Sequence, residues 1–497
     1  MGRGIARNNV RDEPGEHSRL WDLADIYNVL KREKGTKAIK GIIAKYSTRF
    51  LEDANGISFT AEAFKSMSKL RILYLNNVNI SGSFEDTFED LRWLFWRNCP
   101  LNFFPSGFYP INLVTLELPM SKMRTDWELN MVSQVFKNLK TLNMAASLDL
   151  TKTPDFTNFP CLETLNFDFC KSLEEVHISI GSLVRLVSLK LRGCALRSLP
   201  DNICSLRALE HLSLGGCNGL QSLPAGLGDI GSLKELNVSG ASVSNLPVSM
   251  GRLSNLVVLN LSDNEKLETL PDSICNLESL GILNIRNCWN LLSIPELPHN
   301  LKWIEATGCE SLQRLPNLSV LKRLEKLELT YCSGLTVIMG LKDLTSLKAL
   351  YLEGNSSLQA YILTRSNGRI QIFSGFGHPF QIHVERAKFP CWISQSSEYF
   401  SPMSFYLQPN TFKKFLAVIL CIDATSLRAT YEVINIRSGL RCIDTTFGNG
   451  ASVIIVPSSI LSIEEGDYDF ETHQQCRGYT LPPDSAESWA LLWHLFS

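Results

Sequence analysis

The sequence lacks any apolar run close to the roughly 20 residues that a membrane-spanning helix needs, and its longest such run, Phe415 to Ile422, has the length of a strand. It also lacks an excess of charge, with 48 basic and 50 acidic side chains and a formal charge of −2. Proteins that coat nucleic acid or bind membranes through basic residues need a net positive field, so neither class fits. These absences favour a soluble, nearly neutral protein of 497 residues with more than one domain.

Several signatures of chemical function are missing as well. The 14 Cys and 8 His include no Cys-x-x-Cys pair, and no Cys lies at ligand spacing from His378 or His383, so we expect no zinc site. The N-terminus has no apolar signal-peptide region, and we therefore expect reduced thiols. The sequence contains neither a GxxxxGK[ST] phosphate loop nor a GxSxG nucleophile elbow. We predict no enzyme activity, no catalytic residue, no metal and no bound cofactor.

Leucine is abundant, and its distribution is uneven. Leu accounts for 59 of the residues from 51 to 350 but for only 13 from 351 to 497. The pattern Leu-x-x-Leu-x-Leu, or a close variant, starts thirteen times at intervals of 21 to 26 residues. A repeat of this length is typical of a leucine-rich-repeat solenoid. The first leucines of the repeats are Leu70, Leu91, Leu113, Leu139, Leu162, Leu186, Leu209, Leu233, Leu256, Leu280, Leu301, Leu324 and Leu347.

The repeat predicts a binding face. We number each repeat from its first leucine. Because side chains alternate along a strand, positions 4 and 6 point into a shared core and positions 3, 5 and 7 point to the concave face. Aromatic and Arg side chains often anchor protein interfaces, and Trp93, Phe95 and Trp303 are the strongest candidates. The predicted protein-binding residues on this face are Trp93, Phe95, Arg97, Asp168, Lys190, Arg192, His211, Glu235, Arg286, Trp303, Glu305, Lys326, Glu328 and Tyr351.

Two polar columns recur along the repeats. Cys or Asn occupies position 9 in nine of them, and both can bond backbone groups from inside a turn, so this position is predicted to be structural. Asn also recurs at position 5, where it forms either a hydrogen-bonded ladder along the sheet, which we favour, or a polar surface for a ligand. The position-9 residues are Cys99, Cys170, Cys194, Cys217, Asn264, Cys288, Cys309, Cys332 and Asn355, and the position-5 residues are Asn143, Asn166, Asn237, Asn260 and Asn284.

Residues before the repeats resemble a known family. Pro14-Gly15-x-x-Ser18-Arg19-Leu20-Trp21 is followed by Gly35-Thr36 and Ile39-x-Gly41-Ile42. This order resembles the junction between nucleotide-binding module and repeats in plant disease-resistance receptors of the Toll/interleukin-receptor nucleotide-binding leucine-rich-repeat class. The resemblance implies that residues 1–45 are a remnant of that module or a linker and that the chain is truncated at its N-terminus. ADP, ATP and NAD would belong to the missing N-terminal domains.

The leucine period ends near residue 365 and gives way to β-like segments. Phe389-Pro390-Cys391-Trp392 and Phe415 to Cys421 resemble the jelly-roll/Ig-like domain that follows the repeats in this family. The predicted fold is an α/β leucine-rich-repeat solenoid with a curved parallel sheet of about 13 repeats over residues 46–365. A mainly β jelly-roll/Ig-like sandwich over residues 366–497 would follow it.

The resemblance implies a non-enzymatic protein-recognition module of plant innate immunity. Its concave face and post-repeat domain would bind a pathogen effector or guarded host protein and hold the receptor inactive by contacting its own or a paired receptor's nucleotide-binding domain. The expected location is the cytoplasm, with the nucleus as a second compartment, and we expect no nucleic-acid partner and no membrane span. Two alternatives stay open: a secreted repeat inhibitor or receptor ectodomain, and a fragment of an NAD-cleaving receptor whose catalytic domain is absent.

Overall fold

The computed structural model describes residues 13–45, 57–105, 107–124, 136–347, 349–351 and 355, together with later strands at 380–384, 415–423, 429–435, 441–446 and 451–457. It divides into two compact units, residues 1–300 and 301–497. None of the helices in these described ranges is both long and apolar enough to cross a membrane.

Parallel strands, one from each repeat, dominate the first unit. Strands β3 and β5 pair with each other in a small separate sheet, and the other strands pair in parallel with their neighbours. The strands are β1 (Arg19–Leu20), β2 (Gly41–Lys45), β3 (Ile57–Thr60), β4 (Ile72–Asn76), β5 (Val78–Ser81), β6 (Trp93–Arg97), β7 (Thr115–Glu117), β8 (Thr141–Asn143), β9 (Thr164–Asn166), β10 (Ser188–Lys190), β11 (His211–Ser213), β12 (Glu235–Asn237), β13 (Val258–Asn260) and β14 (Ile282–Asn284).

The parallel sheet starts before the first repeat that the leucine pattern reveals. Strand β1 pairs with β2, and β2 pairs with β4 in register from Gly41 opposite Ile72. The helix α1 (Leu23–Lys31) lies between β1 and β2 in the chain and begins at Asp22, whose carboxylate accepts two backbone N–H bonds. Residues 13–45, which we expected to lie outside the repeats, thus supply the first two strands of the sheet.

The core is built from the positions that the repeat predicts. The centre of each strand from β7 to β14 is a leucine with almost no solvent exposure, such as Leu189, Leu212, Leu236, Leu259 and Leu283, at 1% or less. A neighbour in register covers each of them, and truncation of such a leucine to Ala costs about 2–5 kcal/mol. The leucine-rich-repeat solenoid with its long parallel sheet is therefore confirmed.

Short 3₁₀ turns, not α helices, return the chain to the next strand. Prolines at the start of three of them, Pro200, Pro247 and Pro271, fix extended backbone before the turn. Within the described residues, α1 is the one α helix, so the α part of the predicted α/β class is small. The turns of the first unit are Pro14–Glu16, Ala61–Phe64, Phe156–Asn158, Ile178–Ser182, Asp201–Ser205, Leu227–Asp229, Val248–Arg252 and Asp272–Asn276.

The second unit begins with three more repeats and ends in antiparallel strands. The strands are β15 (Trp303–Glu305), β16 (Lys326–Glu328), β17 (Ala349–Tyr351), β18 (Phe380–Val384), β19 (Phe415–Asp423), β20 (Ala429–Asn435), β21 (Arg441–Thr446) and β22 (Ala451–Pro457), with 3₁₀ turns at Leu318–Val320 and Leu341–Asp343. Strands β15 to β18 pair in parallel. Strands β18, β22, β19, β20 and β21 follow one another by antiparallel pairing. The Phe389–Trp392 motif lies outside the described residues.

Candidate protein-binding face

The open face is the side of the sheet opposite the buried leucines. In β7, β8 and β9 the central residue is buried and its two neighbours, at positions 3 and 5, are half-buried. Neighbouring strands are about 4.8 Å apart, so side chains at one position form a column along the sheet. The open face is the surface that we predicted as concave, and it carries the candidate residues.

An aromatic cluster lies at the start of the open face. The rings of Tyr74 and Phe95 stack with centroids 4.2 Å apart and an angle of 2° between their planes. Beside them, Trp93 Nε1 donates a hydrogen bond of 3.0 Å to Glu117 Oε1. The ammonium group of Lys45 lies 5.4 Å from the centre of the Tyr74 ring. We call Tyr74, Trp93 and Phe95 the aromatic cluster.

Two residues of this region, Tyr74 and Lys45, were not predicted from the sequence. Tyr74 occupies position 5 of the Leu70 repeat and could have been found by the same alternation rule that selected Phe95. Lys45 belongs to a repeat that the leucine search overlooks, since Ile39-x-x-Ile42-x-Ala44 replaces all three leucines. The structure buries Ile39, Ile42 and Ala44 completely, as it does leucines at these positions. Arg97, in contrast, was predicted and is exposed at the end of β6.

The Asp168 side chain is not available on the open face. It is only 4% exposed, because Arg192 covers it. Asp168 Oδ2 accepts bonds from Arg192 Nε and Nη2 at 3.0 and 2.8 Å, and Oδ1 accepts the Arg192 backbone N–H at 2.8 Å. These bonds raise the pKa of Arg192, whose guanidinium also lies 5.6 Å from the Phe169 ring. The exposed surface at this point is therefore the Arg192 and Phe169 pair, and Asp168 holds it in place.

The middle of the open face is polar. His211 Nδ1 lies 3.0 Å from Glu235 Oε2 on the next strand, and both side chains are accessible to solvent. Lys190 and Arg286, both also predicted, are exposed. Hydrogen bonding from Lys234 lowers the pKa of Glu210, which lies next to His211 in the chain. Charges of both signs thus alternate along this stretch.

The second unit presents its own group of predicted residues on β15, β16 and β17. The Lys326 ammonium lies 4.5 Å from the Trp303 ring and 5.3 Å from the Tyr351 ring, and it pairs with Glu328. Glu305 is half-buried at position 5 of β15. The alternation rule therefore brings these five residues together on three adjacent strands.

The position-5 asparagines do not form the ladder that we favoured. Each side-chain oxygen accepts the backbone N–H two residues further along its own repeat, at 2.9 to 3.0 Å. This local bond fixes the turn that ends the strand, as Asn side chains commonly do. Asn143 Nδ2 donates to Glu117 Oε2 at 3.4 Å, and no Asn-to-Asn bond joins the five residues in the described structure. These residues are Asn143, Asn166, Asn237, Asn260 and Asn284.

The position-9 residues bond the preceding repeat. Where the structure shows a hydrogen bond from the position-9 side chain to the previous repeat, the thiol or amide donates to the backbone oxygen at position 6 of that repeat. Cys170 donates to Met144, Cys194 to Phe167, Cys217 to Leu191, Cys288 to Leu261 and Cys332 to Ala306, at 3.0 to 3.2 Å, while Asn264 donates to Val238 at 2.9 Å and Asn355 donates to Leu329. The structure places Cys99 and Cys309 in the same buried column. All the described cysteines are free thiols.

Position 8 requires left-handed backbone. It has positive φ in every repeat from Leu70 to Leu324, and its N–H donates to the position-7 oxygen of the next repeat in most of them. Gly193, Gly216, Gly240 and Gly308 suit this conformation. Phe169, Met120 and Tyr331 adopt it with large side chains, all about half exposed. These three residues are separate exposed apolar side chains at position 8, which the leucine pattern does not reveal.

Known proteins resemble the repeat region of this chain. Residues 138–266 match the model of a leucine-rich repeat region. TMV resistance protein N of Nicotiana glutinosa is 32% identical over 195 residues, which cover 39% of this chain and 16% of that protein. Disease resistance protein RPP2A of Arabidopsis thaliana is 34% identical over 212 residues, which cover 41% of this chain and 15% of that protein. The chain therefore matches less than a fifth of the length of either relative.

Among solved structures, the leucine-rich repeat domain of the type III effector XopL is 28% identical to this chain, covering 38% of it and 68% of that domain with a TM-score of 0.36. The sequence relatives confirm the resemblance to plant disease-resistance proteins over the repeats.

Proposed function

We propose that this chain is a non-enzymatic recognition module of plant innate immunity, which binds a pathogen effector or a guarded host protein through its open face. The plant resistance proteins that are similar to its repeat region support a role in immunity. The observation that carries the proposal is the open face itself, where accessible aromatic and charged side chains stand in register on many adjacent strands. Such an extended, varied surface fits a polypeptide better than a small molecule, which binds in a concave apolar pocket.

The side chains of this face are held in place before any partner arrives. Trp93 is fixed by Glu117, Arg192 by Asp168, and Lys326 by the two rings beside it. Fixing a flexible side chain at an interface costs about 0.5–1.5 kcal/mol, so these contacts lower the cost of binding. Aromatic and Arg residues held in this way are typical of interface anchors.

One group of side chains resembles a hydrolytic triad but does not have its geometry. His177 Nδ1 lies 2.7 Å from Ser179 Oγ and 3.9 Å from Asp155 Oδ1. A triad needs the serine and the carboxylate on opposite ring nitrogens, so that the imidazole can pass a proton between them. Here both approach Nδ1, which also accepts the Ser179 backbone N–H at 3.3 Å, and the group caps a 3₁₀ turn. This group therefore has a structural role at the turn and does not serve as a hydrolytic triad.

The proposal extends to the parts that the repeats do not cover. Residues 366–497 would form the jelly-roll/Ig-like domain, in line with the antiparallel pairing of β18 to β22, and would share in partner binding. By the same family resemblance, the chain would contact a nucleotide-binding domain and help to hold a receptor inactive. It would act in the cytoplasm and the nucleus.

Binding of the purified chain to candidate effectors, measured by surface plasmon resonance, tests the site. Changing Trp93→Ala and Trp303→Ala together should weaken binding at least tenfold, since buried aromatic anchors contribute 2 kcal/mol or more, by rough estimate. Trp289→Ala is the matched control, because Trp289 is 45% exposed in the turn beyond position 9 and not on the open face. Equal affinity of the double variant and the control, with unchanged circular dichroism, would remove the open face as the binding site.

A further inference from the structure

A row of cations borders the aromatic cluster. Lys40, Arg71 and Arg92 occupy position 2 of three successive repeats, just before β2, β4 and β6. The Arg71 N–H donates to the Lys40 oxygen and the Arg92 N–H donates to the Arg71 oxygen, both at 2.9 Å. All three side chains are exposed. At the other end of the same strands stand Lys45 and Arg97, also exposed. We call β2, β4 and β6, with the residues at both their ends, the N-terminal rungs.

Position 2 carries a different pattern in later repeats. There, opposite charges face each other on neighbouring strands, as in the pairs Lys140–Glu163 at 2.7 Å and Lys234–Glu210 at 2.8 Å. In the N-terminal rungs the column has one sign, and Arg71 alone of its three cations forms an ion pair within the described residues, with Asp90 at 3.2 Å. Like charges on neighbouring strands are destabilising, so this column is a cost to the folded chain that an anionic partner would remove.

The chain around these strands adds to the positive field. From residue 31 to residue 45 the sequence has six basic residues and one acidic residue, although the whole protein has a formal charge of −2. Lys31, Arg32, Lys34 and Lys37 are all exposed. Cations gathered on one part of a nearly neutral protein raise the local concentration of anions and speed their association. The N-terminal rungs therefore combine an apolar centre with a positive border.

Two kinds of anionic macromolecule could meet such a surface, and the ring geometry separates them. Single-stranded nucleic acid binds by stacking bases on open aromatic faces. Here the Tyr74 and Phe95 rings stack on each other at 4.2 Å, which leaves no space for a base, and Lys45 lies over Tyr74. An acidic polypeptide needs only apolar contact with the rings and pairing with the cations.

We infer that the N-terminal rungs bind an acidic polypeptide segment. Its Asp and Glu side chains pair with Lys40, Arg92 and Arg97, and its apolar side chains cover the aromatic cluster. This inference rests on the proposed function, to which it adds the chemistry of the partner. It also assigns a role to Lys40, which lies before the first repeat that the leucine pattern reveals.

The test uses the full chain and three fluorescent probes measured by anisotropy. The probes are a synthetic peptide rich in Asp, Glu and Leu, the same peptide with Asn and Gln in place of its acids, and an oligo(dT) strand. The acidic peptide should bind, its affinity should fall as salt rises, and the amide peptide should bind much more weakly. Equal binding of the two peptides, no binding of the acidic one, or tighter binding of oligo(dT) would each overturn the inference.

Charge-reversed variants locate the site. Lys40→Glu with Arg92→Glu should weaken binding of the acidic peptide about tenfold or more, because both contacts become repulsive. Lys171→Glu with Lys266→Glu changes the net charge equally at exposed positions far along the repeats and should leave affinity within about twofold. Equal losses in the two variants would show a non-specific charge effect and refute the site. Thermal unfolding followed by circular dichroism verifies that both variants fold.

The two proposals fail separately. If the acidic peptide does not bind but the Trp93 and Trp303 variant still loses its effector, only the acidic-partner inference is wrong. If the acidic peptide binds at the N-terminal rungs but the Trp93 and Trp303 variant keeps its affinity for the effector, the proposed function is wrong. The N-terminal rungs are then a site for another acidic partner.

Discussion

The position-9 column makes a quantitative prediction at Asn264. This residue is fully buried, and its Nδ2 donates to the backbone oxygens of Val238 at 2.9 Å and Leu261 at 2.8 Å. Its Oδ1 accepts the Val243 N–H at 3.3 Å. Nδ2 also approaches the Ser262 oxygen at 3.4 Å, so one side chain serves four backbone groups, two of them in the preceding repeat. Asn264→Ala would remove these bonds from the Val238 oxygen and the Val243 N–H, whereas the Leu261 and Ser262 oxygens keep their bonds from Cys288 Sγ and the Gly240 N–H.

The expected cost follows from these bonds. A buried polar group left unsatisfied costs about 1–3 kcal/mol, and partial relaxation around two such groups gives about 3 kcal/mol in total. Asn264→Cys restores a donor of the kind found at position 9 in seven other repeats and should cost about 1 kcal/mol. Asn260→Ala is the matched control, since Asn260 is half-buried and makes one local bond at 3.0 Å, and it should cost under about 1 kcal/mol.

Urea unfolding followed by circular dichroism measures these differences as shifts of the midpoint at constant slope. Because stacked repeats unfold through their contacts with neighbours, the Asn264→Ala variant could also split the transition, and a second probe such as tryptophan fluorescence would detect it. The reasoning is refuted if Asn264→Ala costs no more than Asn260→Ala, or if Asn264→Cys is as unstable as Asn264→Ala.

Two further predictions concern the same turns. Burial raises the pKa of the Cys170 and Cys217 thiols from 9.0 to about 12 and about 11, so the folded chain keeps protons that the unfolded chain loses. The stability that these two thiols contribute is therefore fully present below pH 9.0 and should be lost as the pH rises toward 11. The urea midpoint should fall over this range, and the double Ala variant should show a smaller fall. Gly193→Ala should cost more than Gly216→Ala: both have positive φ, a strain of about 1–2 kcal/mol, but a Cβ at Gly193 would lie 2.8 Å from the Phe169 ring. Equal losses would contradict the role of that ring.

The leucine spacing predicts the strands because position 4 is almost always Leu and position 6 is always apolar in the buried core. It fails at residues 39–44, where Ile42 and Ala44 fill the same buried sites but leave no leucine to align. The turn asparagines show a second limit. Alternation gives the direction of a side chain such as Asn237, but whether its oxygen bonds a neighbouring strand or its own backbone depends on the turn geometry at position 8, which the pattern does not encode.

Asp168 shows why the candidate site was predicted only in part. Position 7 directs its side chain outward, yet the longer Arg192 on the next strand closes over it and takes the exposed place. Direction follows from the backbone, whereas exposure depends on the size and charge of the neighbours in register. The column at position 2 shows the same dependence on neighbours. The charge of Lys40 becomes part of a positive surface only because Arg71 and Arg92 lie beside it.

The fold separates the positions that hold it together from those that meet a partner. Position 4 is almost always Leu, position 6 is always apolar, and position 9 is Cys or Asn in nine repeats, because these positions share a core and a bond to the preceding repeat. Positions 2, 3, 5 and 7 carry aromatic, basic, acidic and amide side chains that the core does not constrain. A change there alters the surface at little cost to folding, about 0.5 kcal/mol or less for an exposed residue without special contacts. The scaffold can therefore present a basic, aromatic surface at the N-terminal rungs and a mixed one further along without altering its backbone.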